Sequence, residues 1–351
     1  MPNCKFRKSF LHHIGSRISI SVLAGFTGTT TVLCQQTIYR GSIGGSHVEM
    51  RLNLEGNKVS GSYSYDRIGE EIKLSGQITA EGGLELTEFD ARHKPSGKIA
   101  CKRKLDDLID PECYWSRADG SHQAFVALQA QQTGPANGLR IIPKTINDRA
   151  TGVVVSYPQL AGDQRLSAGA EGFNQHLSAW IRKAIKDFDP QPSRDRTSLD
   201  LNYNVLLASD DLVSIEVTEY ADNGGAHPTI GYWAMTYDLK QNKELAIEDI
   251  FKPDSDYQTA IGKFVTADIQ KRADALDQEE ARRAGRTPSA QHEPVVSIDQ
   301  LSDLAHFAMT AKGLMVYFDF PHVIAAFDRT LVPYPVIKDY LLPNGPAARF
   351  Q

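Results

Sequence analysis

The run Leu212-Val213-Ser214-Ile215-Glu216-Val217-Thr218-Glu219-Tyr220, the heptapeptide Asp222-Asn223-Gly224-Gly225-Ala226-His227-Pro228 and the run Tyr232-Trp233-Ala234-Met235-Thr236-Tyr237-Asp238-Leu239 follow one another almost without interruption. In the first run Val213, Ile215 and Val217 alternate with Ser214, Glu216 and Thr218, the period of a half-buried strand. In the last, Trp233, Met235, Tyr237 and Leu239 alternate with Tyr232, Ala234, Thr236 and Asp238, which predicts a second strand with a bulky apolar face. The two are expected to pair as antiparallel neighbours. Asn223, Gly224 and Gly225 tolerate positive φ, and Pro228 holds His227 toward an extended conformation, so the imidazole is presented from a bent loop. His227 has two readings, a recognition residue on that loop or a histidine that bonds its own turn.

Outward from this hairpin the pattern predicts an α+β domain over 151–345. Thr151 to Tyr157 is a β-branched strand ending at Pro158. Phe173, Leu177, Trp180, Ile181 and Phe188 recur at three- and four-residue steps, the stripe of a helix from Ala168 to Phe188. Ser198 to Leu207 reads as another strand. A second helix starts near Asp254, with Tyr257, Ile261, Val265 and Ile269 on one face, and its charge-dense tail Asp277 to Arg286 reads as a solvated, fraying extension. Phe307–Thr310, Leu314–Phe320 and Thr330–Val332 are expected to complete an antiparallel sheet, closed by a short helix over Tyr334 to Leu342.

The region 35–129 differs in character. Short alternating runs such as His47–Leu54, Val59–Tyr65, Ile72–Ile78 and Leu84–Phe89 are punctuated by Gly, Asn and Asp, with no helical period. This spacing predicts an all-β module, a small barrel or curled meander. Tyr63, Tyr65 and Trp115 offer either an aromatic sugar-binding face or cross-strand packing. Residues 130–150, which contain Gly134-Pro135, read as a linker.

Residues 1–34 read as an export signal: a cationic stretch through Arg17, then Ile18 to Leu33 without charge. Glycines and the Thr29-Thr30-Thr31 triplet weaken the apolar run, so a cleaved signal peptide is preferred to a membrane span, and a periplasmic or secreted destination follows. Cleavage before Gln35 is the first reading and lipidation of Cys34 the second. Without Lys5, Arg7, Lys8 and Arg17 the 38 basic residues fall to 34 against 43 acidic ones. Such an acidic chain is a poor partner for nucleic acid or anionic lipid. Cleavage also leaves Cys101 and Cys113 as an even pair suited to a disulfide in an oxidising compartment. Neither has a second cysteine or histidine at ligand spacing, and no metal or cofactor is predicted.

Motifs for a serine nucleophile elbow, a metalloprotease helix, a phosphate loop or a dinucleotide fingerprint are absent. Carboxylate pairs such as Glu216 with Glu219 and Glu248 with Asp249 keep a glycan hydrolase open, because a glycosidase needs two carboxylates at a defined separation. His227, Asp222 and His322 would form a site if their loops met at one end of the sheet.

The C-terminal part resembles the extracytoplasmic domain shared by RsiV-type anti-sigma factors and PdaC-type peptidoglycan deacetylases. The residues that carry the resemblance are Ser156-Tyr157-Pro158-Gln159-Leu160, Phe173-Asn174, Ser214-Ile215-Glu216, Asn223-Gly224-Gly225-Ala226-His227-Pro228, Tyr237-Asp238-Leu239, Gly313-Leu314 and Val332-Pro333-Tyr334. The sequence departs from that family at Phe320-Pro321-His322 and Ala325 to Asp328. Tyr39 to Gly44, Asn57 to Tyr65 and Trp115-Ser116 resemble a recurrent bacterial extracytoplasmic β-module. In the anti-sigma members this domain binds lysozyme. A sigma-binding segment and a deacetylase domain are not expected here. The resemblance implies an exported, non-enzymatic envelope protein whose partner is an envelope protein or a peptidoglycan fragment. Asn223, Gly224, Gly225, His227, Tyr232 and His322 are the predicted contact residues.

Overall fold

A computed structural model describes residues 35–351 apart from 104, 106–111, 132–138, 149, 189–196, 226, 289–294, 297–305 and 351. The predicted leader, Cys34 and Ala226 lie outside the described residues.

Residues 35–130 close an eight-stranded antiparallel barrel in which every strand pairs with its sequence neighbours. The strands are β1 Gln35–Ile43, β2 Ser46–Glu55, β3 Lys58–Tyr65, β4 Ile72–Ile78, β5 Leu84–Phe89, β6 Pro95–Cys101, β7 Cys113–Arg117 and β8 Gln123–Ala130. Alternation fills the interior with Val48, Met50, Leu52, Val59, Leu86 and Ile99, all buried. At the closing seam β1 lies against β8, with Arg40 opposite Gln129 and Gly41 opposite Leu128. A Cβ on Gly41 would stand 1.8 Å from the Ala127 carbonyl oxygen, so the seam closes only around glycine. Tyr63 turns inward and is 2 % exposed. Its hydroxyl and Trp115 Nε1 donate to one oxygen of buried Glu88, at 2.7 and 2.8 Å, and Ser96 Oγ donates to the other at 2.7 Å. Of the two readings of these aromatics, the contacts of Tyr63 and Trp115 with Glu88 and the edge-on contact of Tyr63 with Tyr65 favour packing within the barrel. Cys101 and Cys113 stand opposite each other in the β6–β7 register and form the predicted disulfide.

The rest is α+β. A six-stranded sheet runs in the order β14-β13-β12-β11-β10-β9. Its strands are β9 Arg140–Asp148, β10 Val153–Ala161, β11 Ser198–Ala208, β12 Leu212–Asp222, β13 Thr229–Asp238 and β14 Lys243–Glu244. β9 falls in the stretch read as a linker and pairs with β10 along its whole length. The β12–β13 hairpin is antiparallel, whereas β10 and β11 run parallel and pair only over 153–155 with 199–201. Between those two strands comes α1, Ala168–Asp187, whose Phe173, Leu177 and Ile181 pack on Val213, Ile215 and Val217. Ser167 caps it by accepting the Ala170 N–H at 3.2 Å.

The last strands do not extend that sheet. β15 Phe307–Met309, β16 Gly313–Tyr317 and β17 Arg329–Pro333 form a three-stranded sheet of their own. One of its faces shares a core with α2, Tyr257–Ala284, and with α3, Tyr334–Ile337. It lies across the face of the large sheet that α1 leaves uncovered: Met309 N–H donates to Thr236 Oγ1 at 2.9 Å, and Leu206, Ala234, Met315 and Tyr317 pack between the layers. Ser214 and Glu216, on the polar side of the strand that sequence reads as half-buried, are accordingly 0 % exposed. Alternation reports two unlike faces but not whether the polar one meets water.

The charged tail of α2 is also docked rather than frayed. The helix runs unbroken to Ala284 and ends on Gly285 in the left-handed region at φ 64°. Glu279 pairs with Arg103, and Arg283 donates to Glu112 at 2.9 Å, which ties the tail to the disulfide hairpin of the barrel.

Three stability measurements follow from this packing. Replacing both Cys101 and Cys113 by Ser should lower the unfolding free energy by about 2–3 kcal/mol in urea titrations, as for a short closed loop. An unchanged midpoint would mean the bridge restricts nothing. Glu216→Ala strands Arg329 against the buried face and should cost about 3–5 kcal/mol in the same assay, and a cost below about 1 kcal/mol would contradict a paired, buried charge. Burial raises the Asp328 carboxyl to about 6, and the Phe320 N–H that it accepts at 3.3 Å only partly offsets this. The folded chain therefore holds a proton that the unfolded chain releases from about pH 4 upward, and stability falls as pH rises through that window. Asp328→Asn should stabilise the chain at pH 7 by on the order of 1–3 kcal/mol and leave it nearly unchanged at pH 4, while equal gains at both pH values would exclude this titration.

Candidate functional site

A cleft of about 660 Å³ opens between the closing seam of the barrel and the polar face of the six-stranded sheet. Strand alternation builds its sheet wall. Asn202 and Asn204 of β11, Thr218 and Tyr220 of β12, and Ile230 and Tyr232 of β13 are spaced by two and line the same cavity. The barrel supplies the opposite wall from both seam strands, Arg40 to Ser42 of β1 and Phe125 to Gln129 of β8.

The floor is polar and buried. Arg40 is 2 % exposed and holds Asp66 through both Nη atoms, at 3.3 and 2.5 Å, with its guanidinium 4.1 Å from the centre of the Tyr203 ring. Asp66 also accepts from Ser156 Oγ of β10 at 2.7 Å, and Asn202 Nδ2 donates to the Gly41 carbonyl at 3.0 Å. His47 Nε2 lies 2.6 Å from Asp200 Oδ1. Beyond residue 201, where β11 leaves β10, Gln131 Oε1 accepts the Val205 N–H at 2.6 Å and does the work of a missing strand neighbour.

A second group centres on Glu216. Its carboxylate accepts from Asn204 Nδ2 at 2.9 Å, from the Tyr317 hydroxyl at 2.8 Å and from Arg329 Nη1 at 3.1 and 3.2 Å. Gln129 Oε1 joins it by accepting from Asn204 Nδ2 at 2.7 Å and from Arg329 Nη1 at 3.3 Å. Burial, and the Glu216 charge beside it, push the Tyr317 hydroxyl well above its ordinary range. Burial disfavours the Arg329 charge, but the Glu216 carboxylate more than compensates and the guanidinium is held charged. Each arginine of the floor therefore has its own carboxylate, and the cleft is polar without a large uncompensated charge.

The mouth is apolar. Phe125 from the barrel is 48 % exposed, and Tyr220 and Ile230 from the hairpin are 38 % and 57 % exposed. Such a pairing of exposed apolar lips with convergent buried polar groups holds amphipathic ligands and fixes their orientation.

Among the sequence-predicted residues whose side chains are described, only Tyr232 lines this cleft, with its ring centre 5.9 Å from that of Tyr317 and 5.3 Å from the Arg329 guanidinium. Asn223 lies toward the α1 side and lines a separate cleft of about 300 Å³ with Trp180 and Glu219. Gly224 alone of the three turn residues has positive φ, 78°, and its N–H donates to Asp222 Oδ1 at 2.9 Å. Gly225 and His227 are exposed on the same loop. His322 opens a 3₁₀ turn, His322–Phe327, ahead of β17. The carboxylates Glu216 and Glu219 point to opposite faces of β12, the first toward the floor of the main cleft and the second toward the α1 side. Burial raises the Glu219 carboxyl.

Sequence reading missed Arg40, Gln129, Asn202, Asn204 and Arg329. The alternation of Asp200, Asn202 and Asn204 with Leu199, Leu201 and Tyr203 was available as a signal of a polar face. Nothing local announced that the barrel covers it.

Residues 248–327 match the family model of DUF3298, a protein of unknown function. This match takes in α2, β15 and β16 and ends in the 3₁₀ turn before β17. A stretch of 187 residues, 53 % of the chain, is 24 % identical to the peptidoglycan-N-acetylmuramic acid deacetylase PdaC of Bacillus subtilis, and the chain spans 38 % of that protein's length. Two crystal structures of DUF3298 family proteins are similar. That from Bacteroides fragilis has a TM-score of 0.39 at 14 % identity, over 62 % of this chain and 98 % of the other. That from Pseudomonas aeruginosa PAO1 has a TM-score of 0.38 at 20 % identity, over 60 % of this chain and 97 % of the other. The family model and the PdaC alignment together support a PdaC/DUF3298-like domain in this chain.

Proposed function

We propose that the chain is an exported, non-enzymatic binding protein of the cell envelope, and that it recognises its ligand at the cleft between barrel and sheet. The observation that carries this reading is the cleft itself: exposed Phe125, Tyr220 and Ile230 stand around a floor of buried, hydrogen-bonded polar groups. The likeness to a peptidoglycan deacetylase supports an envelope setting. A leader at 1–34, removed on export to the periplasm or exterior, and a division into a barrel module and an RsiV-like domain belong to the same proposal. The ligand is a peptidoglycan-derived molecule or a lysozyme-like protein. Asn223, Gly224, Gly225 and His227, on the hairpin between β12 and β13, serve as an outer contact.

An envelope glycan hydrolase is the reading set against this one. Of the two carboxylate pairs that the sequence offers for it, Glu216 and Glu219 are divided between two faces of β12, and Glu216 accepts from three donors at once. A carboxylate so fixed is a structural acceptor rather than a proton carrier.

Retention of the purified chain on isolated peptidoglycan and on immobilised lysozyme tests the proposal. Tyr220→Ala combined with Ile230→Ser should reduce retention on one of the two at least about tenfold, the scale of losing two central contacts, with little change in melting temperature because both side chains are exposed. Retention unaffected by the pair would remove the cleft mouth from recognition. Release of muropeptides by the wild-type chain would replace binding with hydrolysis.

A further inference from the structure

One carboxylate of the β12–β13 hairpin faces the apolar side of the large sheet. The row of β12 that meets α1 reads Val213, Ile215, Val217, Glu219, Ala221, and Glu219 is the one ionisable residue in it. It stands opposite Leu201 of β11 and Gly231 of β13. Leu201 is buried, but a Cβ on Gly231 would meet nothing within 4 Å, so open space adjoins the carboxylate where a side chain would otherwise sit. Glu219 is half-buried and lines the cleft of about 300 Å³ on this face, together with Trp180, Lys183 and Asp187 of α1. Among the described residues no donor or cation engages it. Lys183, the basic residue of the cleft, is taken by Asp187 in an i,i+4 pair, and burial raises the Glu219 carboxyl with no neighbouring charge to offset it. A carboxylate drawn partly out of water without a donor carries a desolvation cost that a ligand cation relieves. Two further features favour positive charge at this spot. The Trp180 ring, stacked on Trp233 with centres 4.2 Å apart, gives the cleft an aromatic wall, and indole attracts cations more strongly than the other aromatic side chains. The last turn of α1 reaches the cleft through Ala184 and Asp187, and the carbonyl end of a helix is the negative pole of its dipole.

We propose that Glu219 and Trp180 form a binding site for a small primary amine, whose ammonium group donates to the carboxylate and lies against the indole. The site is on the face of the sheet opposite the cleft at the barrel seam and does not depend on the reading of that cleft. A divalent metal ion fits less well, because hard cations take several oxygen ligands and Asp187, the other carboxylate here, is already paired. A quaternary ammonium would serve the indole but has no N–H to give the carboxylate. The volume of about 300 Å³ stands at the low end of the roughly 300–1,000 Å³ of small-molecule sites, which suits an ammonium group on a short alkyl chain rather than a polymer.

Fluorine NMR of the full chain labelled with 5-fluorotryptophan and titrated with 1,5-diaminopentane at pH 7 tests the assignment. The chain has three tryptophans, and Trp115 lies apart from the other two, on β7 of the barrel. The signals of Trp180 and Trp233 should move saturably while that of Trp115 stays in place. Glu219→Gln keeps the shape and removes the charge, and should weaken binding about tenfold or more, the scale of a hydrogen bond to a charged group. Trp180→Leu, followed at Trp233, should weaken it about two- to fivefold, the scale of a cation–π contact at an exposed site. The diol 1,5-pentanediol, of the same length without the charge, should leave all three signals unmoved. Absence of a saturable change with the diamine, or an equal change with the diol, overturns the amine site even if neither variant folds. Unchanged affinity in folded Glu219→Gln overturns it as well, and unchanged affinity in folded Trp180→Leu overturns the part assigned to the indole.

Discussion

The structure depends on the need to satisfy a polar sheet face that is shut away from water. Asn204, Ser214, Glu216 and Thr236 lie on the side of the six-stranded sheet opposite α1, and all are buried. Burying such groups without partners costs several times what an ordinary hydrogen bond contributes. No single neighbour supplies the partners. Tyr317 and Arg329 reach Glu216 from the small sheet, Gln129 and Gln131 reach Asn204 from the last strand of the barrel and the residue after it, and the Met309 N–H reaches Thr236. The small sheet and the barrel are therefore placed by hydrogen-bond geometry, which tolerates far less sliding than an apolar contact does.

That constraint explains where the cleft lies. β10 and β11 pair for three residues and then part, and the closing seam of the barrel comes in where they part, with Gln131 on the Val205 N–H and Asn202 on the Gly41 carbonyl. A closed barrel cannot follow the twist of an open sheet over any length, so the two surfaces touch at a few polar points and leave room between them. A second tether, from Arg103 and Glu112 of the disulfide hairpin to Glu279 and Arg283 of α2, joins the barrel to the α+β part through another of its hairpins. These outer pairs are exposed and weak individually. Together with the buried seam they hold the barrel from two directions.

Local patterns made much of the fold legible. The period of two in Leu212 to Tyr220, the stripe Phe173, Leu177 and Ile181, and the regular punctuation before residue 130 each encode an element through its own neighbours, and the paired cysteines lie at opposed positions of adjacent strands. What stayed hidden depends on long-range partners. The residues on β9 alternate only weakly, because strand pairing with β10 rather than side-chain burial holds them: most of Arg140 to Asp148 is exposed. The tail of α2 reads as solvated because its charges find their partners more than 160 residues away. For the site the same rule is sharper. The hairpin loop stands out in sequence through Gly224 and Pro228, whereas Arg40, Gln129 and Arg329 are ordinary residues in ordinary strands that become a floor only when three separate parts of the chain meet.

A site built on such a seam has a consequence for energetics. A ligand held between the barrel seam on one side and Tyr232 or Ile230 on the other would bind only the assembled arrangement of barrel and sheet, and would stabilise that arrangement by an amount set by its free concentration relative to its Kd. The floor is already rigid, since Glu216, Asn204 and Gln129 fix one another, and little ordering is left for the ligand to impose there. Phe125, Tyr220 and Ile230 are exposed around that floor. On the proposed reading, recognition divides between a preorganised polar floor, which sets orientation, and exposed apolar lips, which contribute contact area. The buried ion pairs beneath the floor have a place in that division. They add less to stability than apolar packing of equal volume would, but they hold polar groups at fixed positions beside the cleft, which an apolar core has no means of doing.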